Sequence, residues 1–334
     1  MWVWGGFLLF VLIVLAIDLG VLNRKAHVVS MREALTFTVV LALMAFAFSG
    51  LVYIAYDRHL FGLGTAVDSV DRLVNDGRLA AIKFLTGYLI EISLSADNVF
   101  VIALIFAHMR VPPQYQHRVL FWGILGALVM RGAMIGVGAQ LVARYHWILY
   151  IFGVFLVFTA VRMAFSKENQ EELTEEVWVI RLMRRWFPIS TRYHESHFLA
   201  REGGKLVLTP LAVSLVLVET TDLIFAVDSI PAIFAITADP FLVFTSNVFA
   251  ILGLRSLYFA LAGAITKFKY LKHSLSAILG LVGLKMLLAD LLKEYIGPNF
   301  NFYLLGLVVL ILVAGVIASV AAARRVEARA IPED

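Results

Sequence analysis

Two apolar stretches of this chain carry carboxylates where a lipid bilayer tolerates them least. The first is E-I-S-L-S-A-D-N at 91–98, and the second is E-T-T-D-L-I-F-A-V-D-S-I-P-A at 219–232. An Asp at the centre of a membrane helix costs about 2.5 to 3.5 kcal/mol on insertion scales. Such groups require compensation by a bound cation, buried basic side chains, water or protons. The pattern therefore points to cation transport.

The composition predicts an all-α, polytopic membrane protein that forms a single membrane domain over 1–334. Apolar residues make up 61% of the chain and charged residues 16%, against about 25% charged residues in soluble domains. A helix needs about 20 apolar residues to cross a bilayer. Nine spans are predicted at 2–22, 34–56, 79–107, 117–142, 147–165, 206–230, 241–265, 274–292 and 302–323.

The basic residues of the connecting segments predict the orientation. Lys and Arg concentrate after spans one, three, five, seven and nine, whereas the opposite side carries few, apart from the acid-rich loop after span two. The positive-inside rule then places the N-terminus outside and the C-terminus in the cytoplasm. The net charge of +4 follows from the same rule and requires no nucleic-acid partner. The 166–205 loop is expected to be cytoplasmic, with an interfacial amphipathic helix from Val177 to Phe187.

A pattern of charged residues occurs twice. Each copy has two acids six residues apart, a polar residue directly after the second acid, one deep Arg in the next span, and a base followed by Met in the span after that. The first copy comprises Glu91, Asp97, Asn98, Arg131 and Arg162-Met163; the second comprises Asp222, Asp228, Ser229, Arg255 and Lys285-Met286. Because each copy has three spans, repeat one (79–165) and repeat two (206–292) are expected to run in opposite senses, with spans 2–56 and 302–323 peripheral.

The substrate site of an inverted-repeat transporter lies near the midplane, where the repeats meet. Positions seven apart share a helix face, so Glu91 is matched with Asn98 and Asp222 with Ser229. The second acids are expected to point about 120° away and to converge only if the helix unwinds or another helix crosses there. The candidate metal ligands are Glu91, Asp97, Asn98, Glu219, Asp222, Asp228 and Ser229.

The side chains available at membrane depth narrow the choice of metal ion. The chain has no Cys, and its eight His residues lie near predicted helix ends or in loops, so a metal at membrane depth would be held by oxygen, as Mg²⁺, Ca²⁺ and Mn²⁺ prefer. Candidate charge-balancing bases are Arg131, Arg255 and Lys285, which the deep acids outnumber. Asp18 and Asn247 are possible path residues, although a solvated helix end and an interhelical hydrogen bond are equally good readings of them. Carboxylates that release metal on protonation would couple export to proton entry.

At these motifs the chain closely resembles the TerC family of integral membrane proteins. The resemblance rests on L-I-E-I-S-L-S-A-D-N-V-F at 89–100, V-E-T-T-D-L-I-F-A-V-D-S-I-P-A-I-F-A at 218–235, T-S-N-V-F-A-I-L-G-L-R at 245–255 and G-L-K-M at 283–286. With A-I-D-L at 16–19, it is most similar to the nine-span bacterial branch. The resemblance implies a multi-pass protein of the bacterial inner membrane that exports Mn²⁺ as its transported substrate, with no organic cofactor, and an older association with tellurite resistance.

Two other functions stay open from the sequence. One is a membrane accessory factor that helps exported proteins to mature or acquire metal, for which a protein partner is expected. The other is a Ca²⁺/H⁺ exchanger, because Ca²⁺ and Mn²⁺ both accept oxygen ligands and differ in the cavity size and ligand number they need. An enzyme is not expected, since no G-x-S-x-G arrangement occurs.

Overall fold

The computed structural model describes residues 2–17, 31–165, 171–261, 271–296 and 300–329, without the side chains of 97, 171–177, 261, 271, 290, 293–294, 296, 320 and 323–329. These residues form an all-α bundle with one short hairpin, as the sequence predicts. The elements are α1 Trp2–Ile17, α2 Met31–Asp57, α3 Gly77–His108, α4 Pro113–Arg144, α5 Ile148–Phe165, α6 Glu171–Trp186, β1 Leu199–Glu202, β2 Lys205–Leu208, α7 Pro210–Phe234, α8 Pro240–Leu261, α9 Leu271–Leu287, α10 Ala289–Ile296 and α11 Phe300–Arg329.

Seven of the described helices are long and apolar enough to cross a membrane: α2, α3, α4, α5, α7, α8 and α11. The two other predicted spans correspond to α1 and α9, which have 16 and 17 residues in the part of the chain described. The predicted span at 274–292 is interrupted near Leu288, where α9 gives way to the amphipathic α10. Its last five residues, 288–292, therefore lie outside α9.

The start of the sixth predicted span differs from the sequence prediction. Residues 206–208 belong to β2, and α7 begins at Pro210, with the Thr209 hydroxyl accepting a hydrogen bond from the Ala212 amide. Thr at the N-cap followed by Pro is a strong helix start. The hairpin that precedes it turns at Gly203 and Gly204, whose φ angles of 56° and 79° are those of a type I′ turn.

The contacts between helices follow the pattern expected of the two proposed repeats. The two proposed repeats correspond to two triplets of helices, α3–α5 and α7–α9. α3 packs on α8, and α4 packs on α7. These two contacts are equivalent, because α3 is the counterpart of α7 and α4 is the counterpart of α8. Each helix of one triplet also contacts its counterpart: α3 with α7, α4 with α8, and α5 with α9. Two related three-helix units would give this contact pattern. The inverted sense of the repeats stays a prediction.

The apolar core is divided at the level of the acidic motifs. On α3 one cluster of buried apolar side chains ends at Leu94 and a second begins at Val99. On α7 the second cluster ends at Val218 and the first begins at Ala226. In the first cluster, aromatic ring contacts join α1, α2, α3 and α8 through Phe7, Phe48, Phe84 and Phe249. Asn98, Glu219 and Asp222 lie in the gap between the two clusters.

Candidate functional site

Both acidic motifs lie on uninterrupted helices. α3 continues through Ser93 and Ser95, and α7 continues through Pro231 to Phe234. The Ser93 hydroxyl donates to the Leu89 carbonyl of its own helix, so it stabilises no broken segment. Of the two predicted alternatives, an unwound helix is therefore not seen in α3 or α7. Glu91 and Asp222 meet at Arg131, on the neighbouring helix α4.

Arg131 on α4 joins the first acids of the two motifs. Its Nη1 atom donates to Glu91 Oε1 on α3, and Asp222 on α7 accepts from Nη2 at 2.8 Å and from Nε at 3.2 Å. Glu91 is fully buried, and Arg131 and Asp222 are 2% and 7% exposed. One guanidinium is thus held between carboxylates from both triplets, the structural pairing that competes with metal binding.

Two polar side chains complete the surroundings of this guanidinium. Nη1 of Arg131 lies 3.2 Å from Ser229 Oγ on α7 and 3.5 Å from Asn247 Oδ1 on α8. Asp222 and Ser229 are seven residues apart and reach the same group, as expected for a shared helix face. Four helices contribute to this cluster, which we call the Arg131 cluster: Glu91, Arg131, Asp222, Ser229 and Asn247.

Glu219 lies beside Asp222 in a space that a glycine on α4 leaves open. A Cβ atom at Gly126 would overlap the Glu219 carboxylate, and one at Gly123, a turn earlier, would lie 3.3 Å from Val218. Both glycines therefore let α7 approach α4 closely. Gly126 was not among the sequence candidates, although G-x-x-G within an apolar span indicates close helix packing.

The second acid of the α7 motif points elsewhere. Asp228 is half-buried, and its Oδ1 atom accepts a hydrogen bond from Thr159 on α5 at 3.3 Å. It therefore faces a different helix from Asp222, as the angular offset of six residues predicts. Asp97 lies on α3, but its side chain is outside the described residues, and Asp18 is outside them altogether.

Several buried oxygens of the candidate ligands have no donor. Glu91 Oε2, Asn98 Oδ1 and Glu219 Oε2 accept no hydrogen bond within the part of the chain that the structure describes. Buried polar atoms are nearly always paired, so unpaired oxygens on three predicted ligands indicate a missing partner. No group of three His, Asp or Glu side chains suited to a metal occurs among the described residues. Arg131 lies between Glu91 and Asp222.

A small cavity adjoins the Arg131 cluster. Its lining includes Asn98 on α3, Asp222 on α7 and Arg255 on α8. The Arg255 Nη1 atom also lies 2.9 Å from His117 Nε2 on α4. Arg255 is therefore placed beside Asp222 and Asn98, as a base that balances motif acids would be.

Lys285 lies in a different place. Its buried Nζ atom donates to the Ala235 carbonyl at the end of α7. With Asp71 and Asn301 it lines a cavity of about 90 Å³ formed by the ends of α5, α9 and α11 and the 70–73 segment. Among the described side chains, Lys285 thus has its acidic neighbours in the α2–α3 connection.

A second buried charge cluster, which we call the Asp68 cluster, lies where the α2–α3 connection meets the bundle. Lys83 Nζ on α3 is 2.8 Å from both Asp68 Oδ2 and Asp71 Oδ2 and donates to Asn75 Oδ1 at 2.6 Å. Asp68 also accepts from Thr237 and, at 3.0 Å, from the Ala238 amide in the α7–α8 connection. These bonds fix the α2–α3 loop to both triplets.

The pKa values of Asp68 and Asp239, two carboxyls near the α2–α3 connection, are shifted in opposite directions. Burial alone would raise the pKa of Asp68, but the Lys83 ammonium, the Thr237 hydroxyl and the Ala238 amide outweigh it and hold the pKa below its usual range. Burial raises the pKa of the nearby Asp239, even though the Tyr56 hydroxyl donates to it at 2.8 Å. Sequence reasoning missed this cluster, although Lys83 in an apolar span required an acidic partner.

The 166–205 segment contains the expected amphipathic helix, which begins six residues earlier than predicted as α6, Glu171–Trp186. Trp178 and Trp186 are exposed, as an interfacial helix requires. His194 Nε2 lies 2.9 Å from Glu202 Oε1 on β1, and Ser190 Oγ donates to the same oxygen at 2.6 Å. These bonds give His194 a structural role in fixing the hairpin.

The fold and site together define an all-α polytopic membrane protein with a buried, charged cluster between two three-helix units. The sequence model of the Integral membrane protein TerC family matches residues 77–327. The chain belongs to the TerC family, as its motifs predict.

Curated relatives cover most of the chain. A protein named "Uncharacterized membrane protein STKORF319" from Myxococcus xanthus is 48% identical over 87% of this chain and 84% of its own length. The Escherichia coli (strain K12) protein named "Putative membrane-bound redox modulator Alx" is 45% identical over 86% of each chain. An "Uncharacterized membrane protein" from Rickettsia felis is 36% identical over 95% of this chain and 97% of its own. No solved structure matches.

Proposed function

We propose that this protein exports a divalent metal cation, Mn²⁺ in particular, from the cytoplasm across the bacterial inner membrane. The observation that carries the proposal is the set of buried oxygens on Glu91, Asn98 and Glu219 that have no donor among the described residues, next to the carboxylates of Glu91 and Asp222 that Arg131 joins. Carboxylate and amide oxygens suit a hard divalent ion. In a membrane protein, buried acids of this kind mark ion pathways.

The packing supports transport by alternating access. The Arg131 cluster takes its acids from both triplets, and the apolar core divides into two parts near Asn98, Glu219 and Asp222. Movement of one unit against the other would expose the cluster first to one side and then to the other. The positive-inside rule gives the proposed orientation of the protein, with the N-terminus outside and α6 and the hairpin in the cytoplasm.

The name of the Escherichia coli relative describes a redox role, and the chemistry of this chain bears on it. The chain contains no cysteine, so it offers no thiol for disulfide exchange. Transport of a redox-active metal such as Mn²⁺ would affect redox balance without any thiol. The name and the proposed export are therefore compatible.

Flux through the purified protein tests the proposal. Proteoliposomes that contain this protein alone are expected to pass Mn²⁺, and Ca²⁺ and Mg²⁺ added as competitors report the ion preference. A transmembrane pH gradient that changes the rate would establish proton coupling. Absence of flux from well-folded protein would contradict the proposal and favour the accessory-factor alternative.

Gly126→Ala is expected to impair flux with little effect on stability. The new Cβ meets the flexible end of Glu219, so the carboxylate moves aside, and the free energy of unfolding changes by no more than about 1 kcal/mol. Displacing a ligand oxygen should lower the Mn²⁺ flux about tenfold, equivalent to ~1.4 kcal/mol.

Gly136→Ala on the same helix is the matched control for this change. A Cβ at Gly136 meets nothing within 4 Å, so this variant should transport normally. Flux and thermal unfolding in detergent are measured for both variants. Equal flux from the two would show that Glu219 is not part of the pathway.

A further inference from the structure

The guanidinium of Arg131 occupies the position that a transported cation would take. Among the described residues it donates to oxygens on three other helices: Glu91 on α3, Asp222 and Ser229 on α7, and Asn247 on α8. These are a carboxylate pair, a hydroxyl and an amide, the oxygen types that bind a hard cation. A side chain of the protein therefore bonds to the proposed metal ligands itself.

A divalent ion and this guanidinium cannot share the cluster at low cost. Like charges in contact inside a protein repel each other strongly, and a divalent ion doubles the repulsion that a monovalent ion would experience. Glu91 Oε2 has no donor among the described residues, so an arriving ion can attach there first. Binding at both carboxylates would then require Arg131 to leave.

From this geometry we propose that Arg131 is a tethered counter-ion that replaces the transported metal during the ion-free half of the cycle. The inference rests on the proposed transport function. A carrier must return without its ion, and two buried carboxylates with no cation would oppose that step, because unpaired buried charges cost several kcal/mol. Arg131 offsets part of this cost and makes the empty return possible.

The repeat-related arginine has a different position. Arg255 on α8 contacts His117 and lines the small cavity, whereas Arg131 lies between the two acids. The counter-ion role is therefore assigned to Arg131 on α4. Arg144→Gln provides a matched control because it removes the same charge from the exposed end of the same helix.

The test compares two modes of transport in proteoliposomes with Mn²⁺ as the probe. Net flux into Mn²⁺-free vesicles needs the ion-free return, whereas tracer exchange with equal Mn²⁺ on both sides does not. For Arg131→Gln we expect net flux to fall at least about 30-fold, with exchange within about threefold of the wild type. Arg144→Gln is expected to leave the ratio of net flux to exchange at its wild-type value.

The equilibrium affinity for Mn²⁺ distinguishes a counter-ion from a merely structural residue, because loss of a structural residue would not tighten Mn²⁺ binding. Removing a competing cation should tighten Mn²⁺ binding by Arg131→Gln at least about tenfold. Arg131→Lys keeps a shorter cation that reaches one acid, so it should reduce the flux ratio to an intermediate value. If Arg131→Gln does not fold, the ratio for Arg131→Lys decides.

The outcomes separate this inference from the proposed function. A wild-type protein without net flux or exchange would overturn the transport proposal itself. A transporting wild type with Arg131 variants that lose both modes equally, or lose neither, would overturn the counter-ion role alone. Selective loss of net flux with tighter binding supports it.

Discussion

Glu91→Gln is expected to reduce Mn²⁺ flux through the purified protein by at least about 100-fold while the protein stays folded. The substitution removes one of two carboxylates that meet at Arg131. A unit charge 4 Å from another contributes about 4 kcal/mol at an effective dielectric of 20, and each 1.4 kcal/mol is a factor of ten. Arg131 remains paired with Asp222, so the fold does not acquire an unpaired cation.

Glu202→Gln is the control for this variant. It makes the same chemical change on β1, where Glu202 bonds with Ser190 and His194 at the surface, and it should transport as the wild type does. Asp222→Asn is expected to behave like Glu91→Gln. Flux from Glu91→Gln within threefold of the control would remove Glu91 from the pathway.

Lys83→Met is expected to give the largest loss of stability of the substitutions considered, about 3 to 5 kcal/mol. Removing one partner of a buried ion pair leaves the other charge uncompensated. In this case both Asp68 and Asp71 lose their common cation at 2.8 Å, and the α2–α3 loop loses an attachment to α3. Unfolding in detergent, compared with the exposed Lys205→Met, measures the difference.

The stability deficit of Lys83→Met is expected to depend on pH, because the pKa of Asp68 is shifted in the folded wild type. Because the folded-state pKa is lowered, the ionised carboxyl stabilises the wild type above its unfolded pKa, and this contribution is lost as pH falls through the folded pKa. The gap between wild type and variant should therefore narrow as pH falls below the ordinary Asp pKa of about 4 towards the lower folded pKa of Asp68. A gap that is constant over this interval would contradict the account.

The sequence predicted those features that follow from local patterns. The seven described helices that can cross a membrane all fall on predicted spans, because apolar runs of this length have one stable structure in lipid. The shared face of Asp222 and Ser229 and the divergence of Asp228 follow from the helical period alone. The match to the TerC family model covers residues 77–327, which include these motifs.

Features that depend on contacts between distant residues could not be predicted. Glu91 and Arg131 are 40 residues apart, and the sequence does not say which of several acids and bases meet. Asp68 was interpreted as a loop charge, because its burial depends on Thr237 and Ala238, which lie 169 and 170 residues away. The start of α7 at Pro210 was missed because the apolar β2 preceding it resembles the beginning of a span.

Equilibrium binding of Mn²⁺ to the purified protein tests the central claim most directly, since it requires neither a gradient nor turnover. The electron paramagnetic resonance signal of free Mn²⁺ measures how much ion the protein holds. We predict that the wild type binds Mn²⁺ and that the double variant Glu91→Gln/Asp222→Asn does not, while Glu202→Gln binds as the wild type. Equal binding by the wild type and the double variant would contradict the assignment of the ion to these carboxylates.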